Sequence, residues 1–172
     1  MEEKVSEAIC NDLTNLYLMI EELNPASESS KEMIEETFKF WFTSNHHIRS
    51  PFPEYIHDKL KTEGTEKFWH WALNLKPEAE KELNEEIIAE RLEEIIFETA
   101  LKLVLTEDEK ITIRYPFLPR IGDTINAKDT NEASNVVDRW IVKEGDNEYL
   151  KVTLSNNTTN EKWETKFELM PS

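Results

Sequence analysis

The spacing of apolar residues changes partway along this chain, and that change is the strongest constraint on its fold. Up to about residue 105, apolar residues recur at steps of three and four, which is typical of helices with one buried face. From residue 106 onwards they alternate with polar residues, as in strands with one buried face. The sequence therefore predicts an α+β protein, with a helical part over residues 1–105 and a β part over residues 106–172.

About five helices are predicted in the helical part, the first of them over residues 2–23. Ser29, followed by Glu32 three places later, is a candidate capping box for a second helix that runs to Phe42. Gly64 is placed as the C-terminal cap of a short third helix, because glycine commonly follows the last helical residue. A fourth helix follows over residues 66–75.

One long helix is predicted over residues 77–105. Pro77 suits its first position, because proline lacks only an N–H group that would be unpaired there. Its apolar residues form a wide stripe, which indicates that more than one neighbour packs on it.

The β part is predicted to be an antiparallel meander of four to five strands. Ile111, Ile113 and Tyr115 alternate with polar residues and indicate the first strand, before a short strand at Thr124-Ile125. Residues 136–143, 148–155 and 161–169 indicate three more strands, which short connections make antiparallel neighbours. A part of about 65 residues is small for independent stability. We therefore expect it to pack on the long helix, so that residues 1–172 form a single fused domain.

The charge of the chain is strongly negative, with 36 acidic residues against 20 lysines and arginines, a net charge of −16. Residues 1–105 hold 23 of the acids and 11 of the bases. Such a surface repels the phosphates of nucleic acids and of anionic lipids, so direct binding to either is not expected. A basic protein is the partner that this charge favours, and an acidic surface that only maintains solubility is the plainer interpretation.

Glutamates recur at a strict step of four in the predicted long helix. Each neighbouring pair is a like-charge contact that costs roughly 0.2–0.5 kcal/mol on a helix. The ladder is either a solvated helix face or a docking face for a basic protein. Its members are Glu78, Glu82, Glu86, Glu90, Glu94 and Glu98.

Aromatic residues are denser around residues 38–42 and 68–71 than one buried helix face requires. Phe40 points away from the predicted core face of its helix, and Trp69 and Trp71, two places apart, cannot share a face. These rings and Trp41 therefore pack in the core, line a pocket or form an exposed interaction patch.

Catalytic motifs are missing from the sequence. Its three glycines, Gly64, Gly122 and Gly145, are too dispersed to build a phosphate-binding loop. It contains no G-x-S-x-G, H-E-x-x-H or C-x-x-C pattern. No catalytic residue and no cofactor is predicted.

Histidines provide the one candidate metal site. Glu54 and His57 are one helical turn apart, and with His46 or His47 they could hold a zinc ion that keeps an open position. The alternative is that His46 and His47 lie in an exposed loop and His57 packs locally.

The compartment follows from cysteine usage and hydropathy. Cys10 is the single cysteine, the N-terminus lacks the features of a signal peptide, and no apolar run reaches the ~18–20 residues that span a bilayer. A cytoplasmic protein is predicted.

The favoured function is that of a non-enzymatic interaction or regulatory protein. The alternative is an enzyme or small-molecule-binding protein with a pocket between helices and sheet, which would use Glu54, His57 and His70.

Overall fold

The structure, a computed structural model, describes residues 23–44, 49–75, 83–126 and 133–169. The chain divides into two compact units, Met1–Val104 and Leu105–Ser172. The described part of the first unit contains helices, and that of the second contains one helix and a four-stranded antiparallel sheet. The predicted α+β class, with helices that precede an antiparallel sheet, is confirmed. The predicted helix over residues 2–23 lies outside the described residues, and the predicted fusion into one domain stays a prediction.

The first described helix, α1, spans Glu28–Phe42 and begins where a serine hydroxyl pairs with its free N–H groups. Ser27 is the N-cap, and its side-chain oxygen accepts a hydrogen bond from the Ser30 N–H. The predicted cap at Ser29 was therefore two residues late. Ile34 and Phe38, four residues apart, form the buried face of the helix.

The second helix, α2, spans His57–Leu73 and follows a 3₁₀ turn at Glu54–Ile56. The sequence predicted two helices here, separated at Gly64, and that prediction was wrong. Gly64 is buried within the continuous helix. A β-carbon at this position would lie 3.2 Å from Phe38 Cζ and 3.8 Å from Ile96 Cγ1. The missing side chain therefore admits neighbouring side chains and does not end the helix.

The third helix, α3, spans Glu85–Leu103, so the predicted start at residue 77 was wrong, whereas the predicted end at about residue 105 lies within two residues of the observed one. Asn84 has an extended backbone (φ −140°, ψ 174°), and its side chain accepts a hydrogen bond from the Ile87 N–H at 2.9 Å. This cap starts a new helix at Glu85. The buried residues of the helix are Ile88, Leu92, Ile95, Ile96, Thr99 and Ala100.

The fourth helix, α4, spans Glu107–Arg114 and lies where the sequence predicted a strand. Thr106 and Glu109 form a reciprocal capping box, in which each side chain pairs with the backbone of the other residue. Acidic residues occupy the first turn of the helix and Arg114 the last, an arrangement that matches the helix dipole. These local interactions outweigh the alternation of residues 111–115.

The sheet consists of β1 (Thr124–Asn126), β2 (Ala133–Glu144), β3 (Asn147–Asn156) and β4 (Lys162–Leu169). The strands pair in chain order and all neighbours are antiparallel, as predicted. β2 and β3 are joined by a two-residue loop in which Gly145 has a φ of 65°, a conformation that favours glycine. Burial alternates along β4 as the sequence indicated. The core of this unit contains Ile111, Val136, Leu150, Val152, Leu154 and Leu169.

A buried arginine connects β2 to α4. The register of β2 shifts between Val136 and Asp138, and this bulge places Arg139 opposite the buried Val152. The Arg139 side chain donates to Asp108 Oδ1 at 2.6 Å, to the Asp108 carbonyl at 3.0 Å and to the Pro119 carbonyl at 2.7 Å. It also donates to the Thr112 hydroxyl. Each guanidinium nitrogen therefore donates to an acceptor although the side chain is removed from water.

We expect Gly64→Leu to lower the free energy of unfolding of the helical unit by about 1–3 kcal/mol, because the added side chain overlaps Phe38. Glu66→Leu is the matched control, since Glu66 is exposed on the same helix and should change stability by less than about 0.5 kcal/mol. Urea unfolding followed by circular dichroism at 222 nm measures both. Equal effects of the two substitutions would contradict the close approach at Gly64.

Arg139→Met should destabilise the second unit by about 3 kcal/mol, because Asp108 and the two carbonyls lose a buried donor. Lys143→Met, at an exposed position of the same strand, is expected to stay within about 0.5 kcal/mol of the parent. Amide hydrogen exchange of β2 and β3 reports the difference. An Arg139→Met protein with unchanged protection in these strands would show that the network is not needed.

Candidate functional site

The described residues form a groove between α2 and α3, with a volume of about 560 Å³. This size lies within the range of about 300–1,000 Å³ that is typical of small-molecule sites. Apolar side chains form part of its wall, and basic side chains are prominent among its polar groups. The groove is lined by Lys67, His70, Trp71, Asn74, Leu75, Arg91, Ile95, Glu98, Thr99 and Lys102.

Helical periodicity explains why these side chains meet. The α2 residues Lys67, His70, Trp71 and Asn74 follow the steps i, i+3, i+4 and i+7, so they share one face. The α3 residues follow the same kind of spacing from Arg91 to Lys102. Two helix faces of mixed polarity thus border the groove, and its position lies within the helical unit. The predicted pocket between helices and sheet stays a prediction.

The basic residues of the groove differ in how they are paired. Lys67 Nζ donates to the Thr99 hydroxyl at 3.1 Å and lies 3.6 Å from a Glu63 oxygen. Arg91 donates one N–H to Glu94 at 2.7 Å. For Lys102, no ion pair is found within the described ranges of the chain. Lys102 is therefore the cation of the groove that is most available to a ligand.

Of the four predicted aromatic binding residues, Trp71 is the one that lines this groove. Trp41 is half-buried and packs against Phe97, with ring centroids 4.8 Å apart, and its indole N–H donates to Glu93 at 3.1 Å. Phe40 is 49% exposed beside Trp41. Trp69 is half-buried, with its ring centroid 5.2 Å from that of Phe68. Trp41 thus contributes to packing, and Phe40 remains exposed at the surface.

The predicted metal ligands fall in different surroundings. His57 stacks on Phe42 at a centroid distance of 3.9 Å, and its Nε2 lies 3.0 Å from the Phe52 carbonyl oxygen. Glu54 is exposed, and His46 lies outside the described residues. Within those residues, no group of three or more histidine, cysteine, aspartate or glutamate side chains is arranged to hold a metal ion.

His57 and His70 do not share one site. They lie thirteen residues apart on α2, a separation of about 20 Å along the helix at 1.5 Å per residue. His70 borders the groove, whereas His57 packs against Phe42 and Phe52. The described structure therefore does not bring Glu54, His57 and His70 together.

The glutamate ladder is exposed on α3. Glu86, Glu90, Glu94 and Glu98 all face solvent, and Glu98 also borders the groove. Glu82 and Glu78 lie outside the described residues. In the part of the ladder that the structure describes, Arg91 pairs with Glu94, and no ion pair is found for the other three.

Exposed glutamates on α1 differ from those on α3, because three of them have a lysine partner. The oxygen-to-nitrogen distances are 2.9 Å for Glu28–Lys31, 3.0 Å for Glu36–Lys39 and 2.7 Å for Glu35–Lys61. The negative charge of the first unit is thus partly neutralised on α1 and largely uncompensated on α3.

Two clear pKa shifts occur in the second unit rather than beside the groove. A hydrogen bond from Lys110, strengthened by its charge, lowers the pKa of the Glu107 carboxyl. A hydrogen bond to Glu144 raises the pKa of the Lys166 ammonium. Both groups are exposed surface ion pairs, which contribute little to stability.

Sequence reasoning missed the cations of the groove. Lys67, Arg91 and Lys102 attract no attention as single residues, and lysines and arginines on helices are usually solvated. Their spacing relative to Trp71 and Ile95 was the available signal, because it places them on the faces that border a helix–helix contact.

Comparison of the chain with protein-family models, curated proteins and solved structures finds no match. Across the described residues, no helix has both the length and the apolar character needed to cross a bilayer. The function must therefore be argued from the arrangement of the side chains.

His57→Ala should lower the free energy of unfolding of the helical unit by about 1–2 kcal/mol, because it removes a ring stack and a hydrogen bond. Glu54→Gln should have an effect below about 0.5 kcal/mol, since Glu54 is exposed. Calorimetric titration of both variants with Zn²⁺ tests the alternative, in which His57 and Glu54 bind a metal ion. Zinc binding that both substitutions weaken equally would contradict a purely structural role of His57.

Proposed function

We propose that the protein is a non-catalytic interaction protein whose helical unit binds a basic protein partner through α3. The binding surface, called the acidic face below, consists of Glu86, Glu90 and Glu94. One observation carries this proposal: these side chains are exposed and mostly uncompensated, whereas glutamates of α1 are paired with lysines.

Like-charge contacts between neighbouring glutamates along α3 cost free energy. The steps Glu86–Glu90, Glu90–Glu94 and Glu94–Glu98 are three pairs at i, i+4, which together cost on the order of 0.6–1.5 kcal/mol. A cationic partner would relieve that repulsion and gain attraction from the same side chains. Charge of one sign on an exposed face also accelerates the encounter with a partner of opposite charge.

The composition of the chain indicates the compartment in which a basic partner would be met. A strongly negative chain with a single cysteine fits a reducing, cytoplasmic setting, in which basic proteins are available partners. The net charge of −16 supports binding to proteins rather than to nucleic acid or anionic membrane.

A charge-matched pair of variants tests the acidic face. Glu86→Gln/Glu90→Gln/Glu94→Gln removes three charges from α3, and Glu28→Gln/Glu32→Gln/Glu36→Gln removes three exposed charges at the same four-residue spacing from α1. The probe is a fluorescent lysine-rich helical peptide of about 20 residues, and the measurement is anisotropy between 25 and 300 mM salt. The α3 variant should bind about tenfold more weakly, a loss of about 1.4 kcal/mol, because Glu86 and Glu90 have no ion pair among the described residues and Glu94 is paired with Arg91 alone.

The α1 variant should bind within about twofold of the parent, and the affinity of the parent should fall as salt screens the charges. Equal losses in the two variants would mean that the peptide responds to net charge alone and would refute a specific face. Binding that is indifferent to salt would refute the electrostatic basis of the proposal.

A further inference from the structure

The groove between α2 and α3 has features that the acidic face does not explain. The chain as a whole carries sixteen more acids than lysines and arginines, yet the groove is lined by three of these cations, a histidine and one acid, Glu98. We infer that this groove binds a small organic anion, with an apolar body against Trp71 and Ile95 and an anionic oxygen head group at Lys102.

The apolar part of the groove suits a ring or a short alkyl group. Trp71 is half-buried and leaves part of its ring accessible, whereas Ile95 is 4% exposed and adds only a small apolar area. Leu75 widens this surface. A ligand that covers such residues gains from the removal of apolar area from water.

The polar part of the groove supplies donors. The ammonium group of Lys102 has three N–H donors, and no ion pair or hydrogen bond engages them within the described chain. Arg91 uses one terminal nitrogen for Glu94 and keeps further N–H groups on its guanidinium. Lys67 already interacts with Glu63 and Thr99, so it is less available to a ligand. Lys102 is therefore the group that would hold a carboxylate or a phosphate, because Arg91 lies eleven residues earlier on α3, about 17 Å away along the helix.

Thr99, at the base of the groove, indicates in which direction a bound ligand would lie. It is 1% exposed, and its hydroxyl already accepts from Lys67. A ligand head group there would compete with an existing hydrogen bond, whereas Lys102 needs no rearrangement. The head group is thus placed toward the Lys102 end of α3, and the body lies toward Trp71.

The experiment follows the indole N–H signals in ¹H–¹⁵N spectra of the isotopically labelled full chain. The chain has five tryptophans, and the Trp71 signal is assigned as the one that disappears in Trp71→Phe. The probes are 2-naphthoate, 2-naphthyl phosphate and the neutral 2-naphthalenemethanol, which share one ring system. The stronger of the two anions identifies the head group, carboxylate or phosphate.

The expected result is a saturable shift of the Trp71 signal with at least one anion, and at least about tenfold weaker binding of the neutral probe. Lys102→Gln should weaken binding of that anion about tenfold, because a hydrogen bond to a charged group is lost. Lys143→Gln is the matched control, since Lys143 is also exposed and without an ion pair among the described residues, and it should change binding less than about twofold.

Three results would overturn the inference. They are a Trp71 signal that does not move at millimolar probe, equal binding of the neutral and anionic probes, and equal effects of Lys102→Gln and Lys143→Gln. Unchanged signals of the other residues in Lys102→Gln verify that the fold is retained. Binding of the lysine-rich peptide is measured in the same variant, where it should be unaffected, so the groove and the acidic face are tested separately.

Discussion

Three helices of the first unit meet at Gly64, where the side chains of Phe38 and Ile96 come close to the backbone of α2. Buried faces at such crossings are packed as densely as crystals of organic molecules, so a difference of one side chain determines how closely two helices approach. The position of α2 relative to α3 in turn determines the groove, whose walls come from both helices. The described helical unit therefore depends on a residue whose contribution is the absence of a side chain.

The charges of this unit follow two patterns. On the outer side of α3, carboxylates repeat with little compensation, and repulsion between them is tolerated because water screens exposed charges. In the groove, Lys67, Arg91 and Lys102 interrupt the acidic surface on the sides of α2 and α3 that border each other. The helix α3 thus carries exposed carboxylates and also contributes Arg91 and Lys102 to the groove, which Glu98 borders as well.

The second unit contains a buried guanidinium that connects β2 to α4. Four acceptors surround Arg139, which compensates for the loss of its hydration. The bulge after Val136 makes this possible, because Arg139 is three positions after the buried Val136 and in a regular strand would point to the opposite face of β2. Arg139 and the bulge in β2 together therefore hold α4 in its position on the sheet.

The sequence by itself determined the class of the fold, the order of helices before strands and the alternation along β4, because hydrophobic periodicity is a local property. It also contained the capping box at Thr106 and Glu109, although the alternation of Ile111 and Ile113 suggested a strand. Only the tertiary structure decided that Gly64 lies inside a helix, that Arg139 is buried, and that Lys102 borders the same groove as Trp71. Each of these depends on residues about 25 or more positions apart in the chain, and no local pattern records which distant side chains become neighbours.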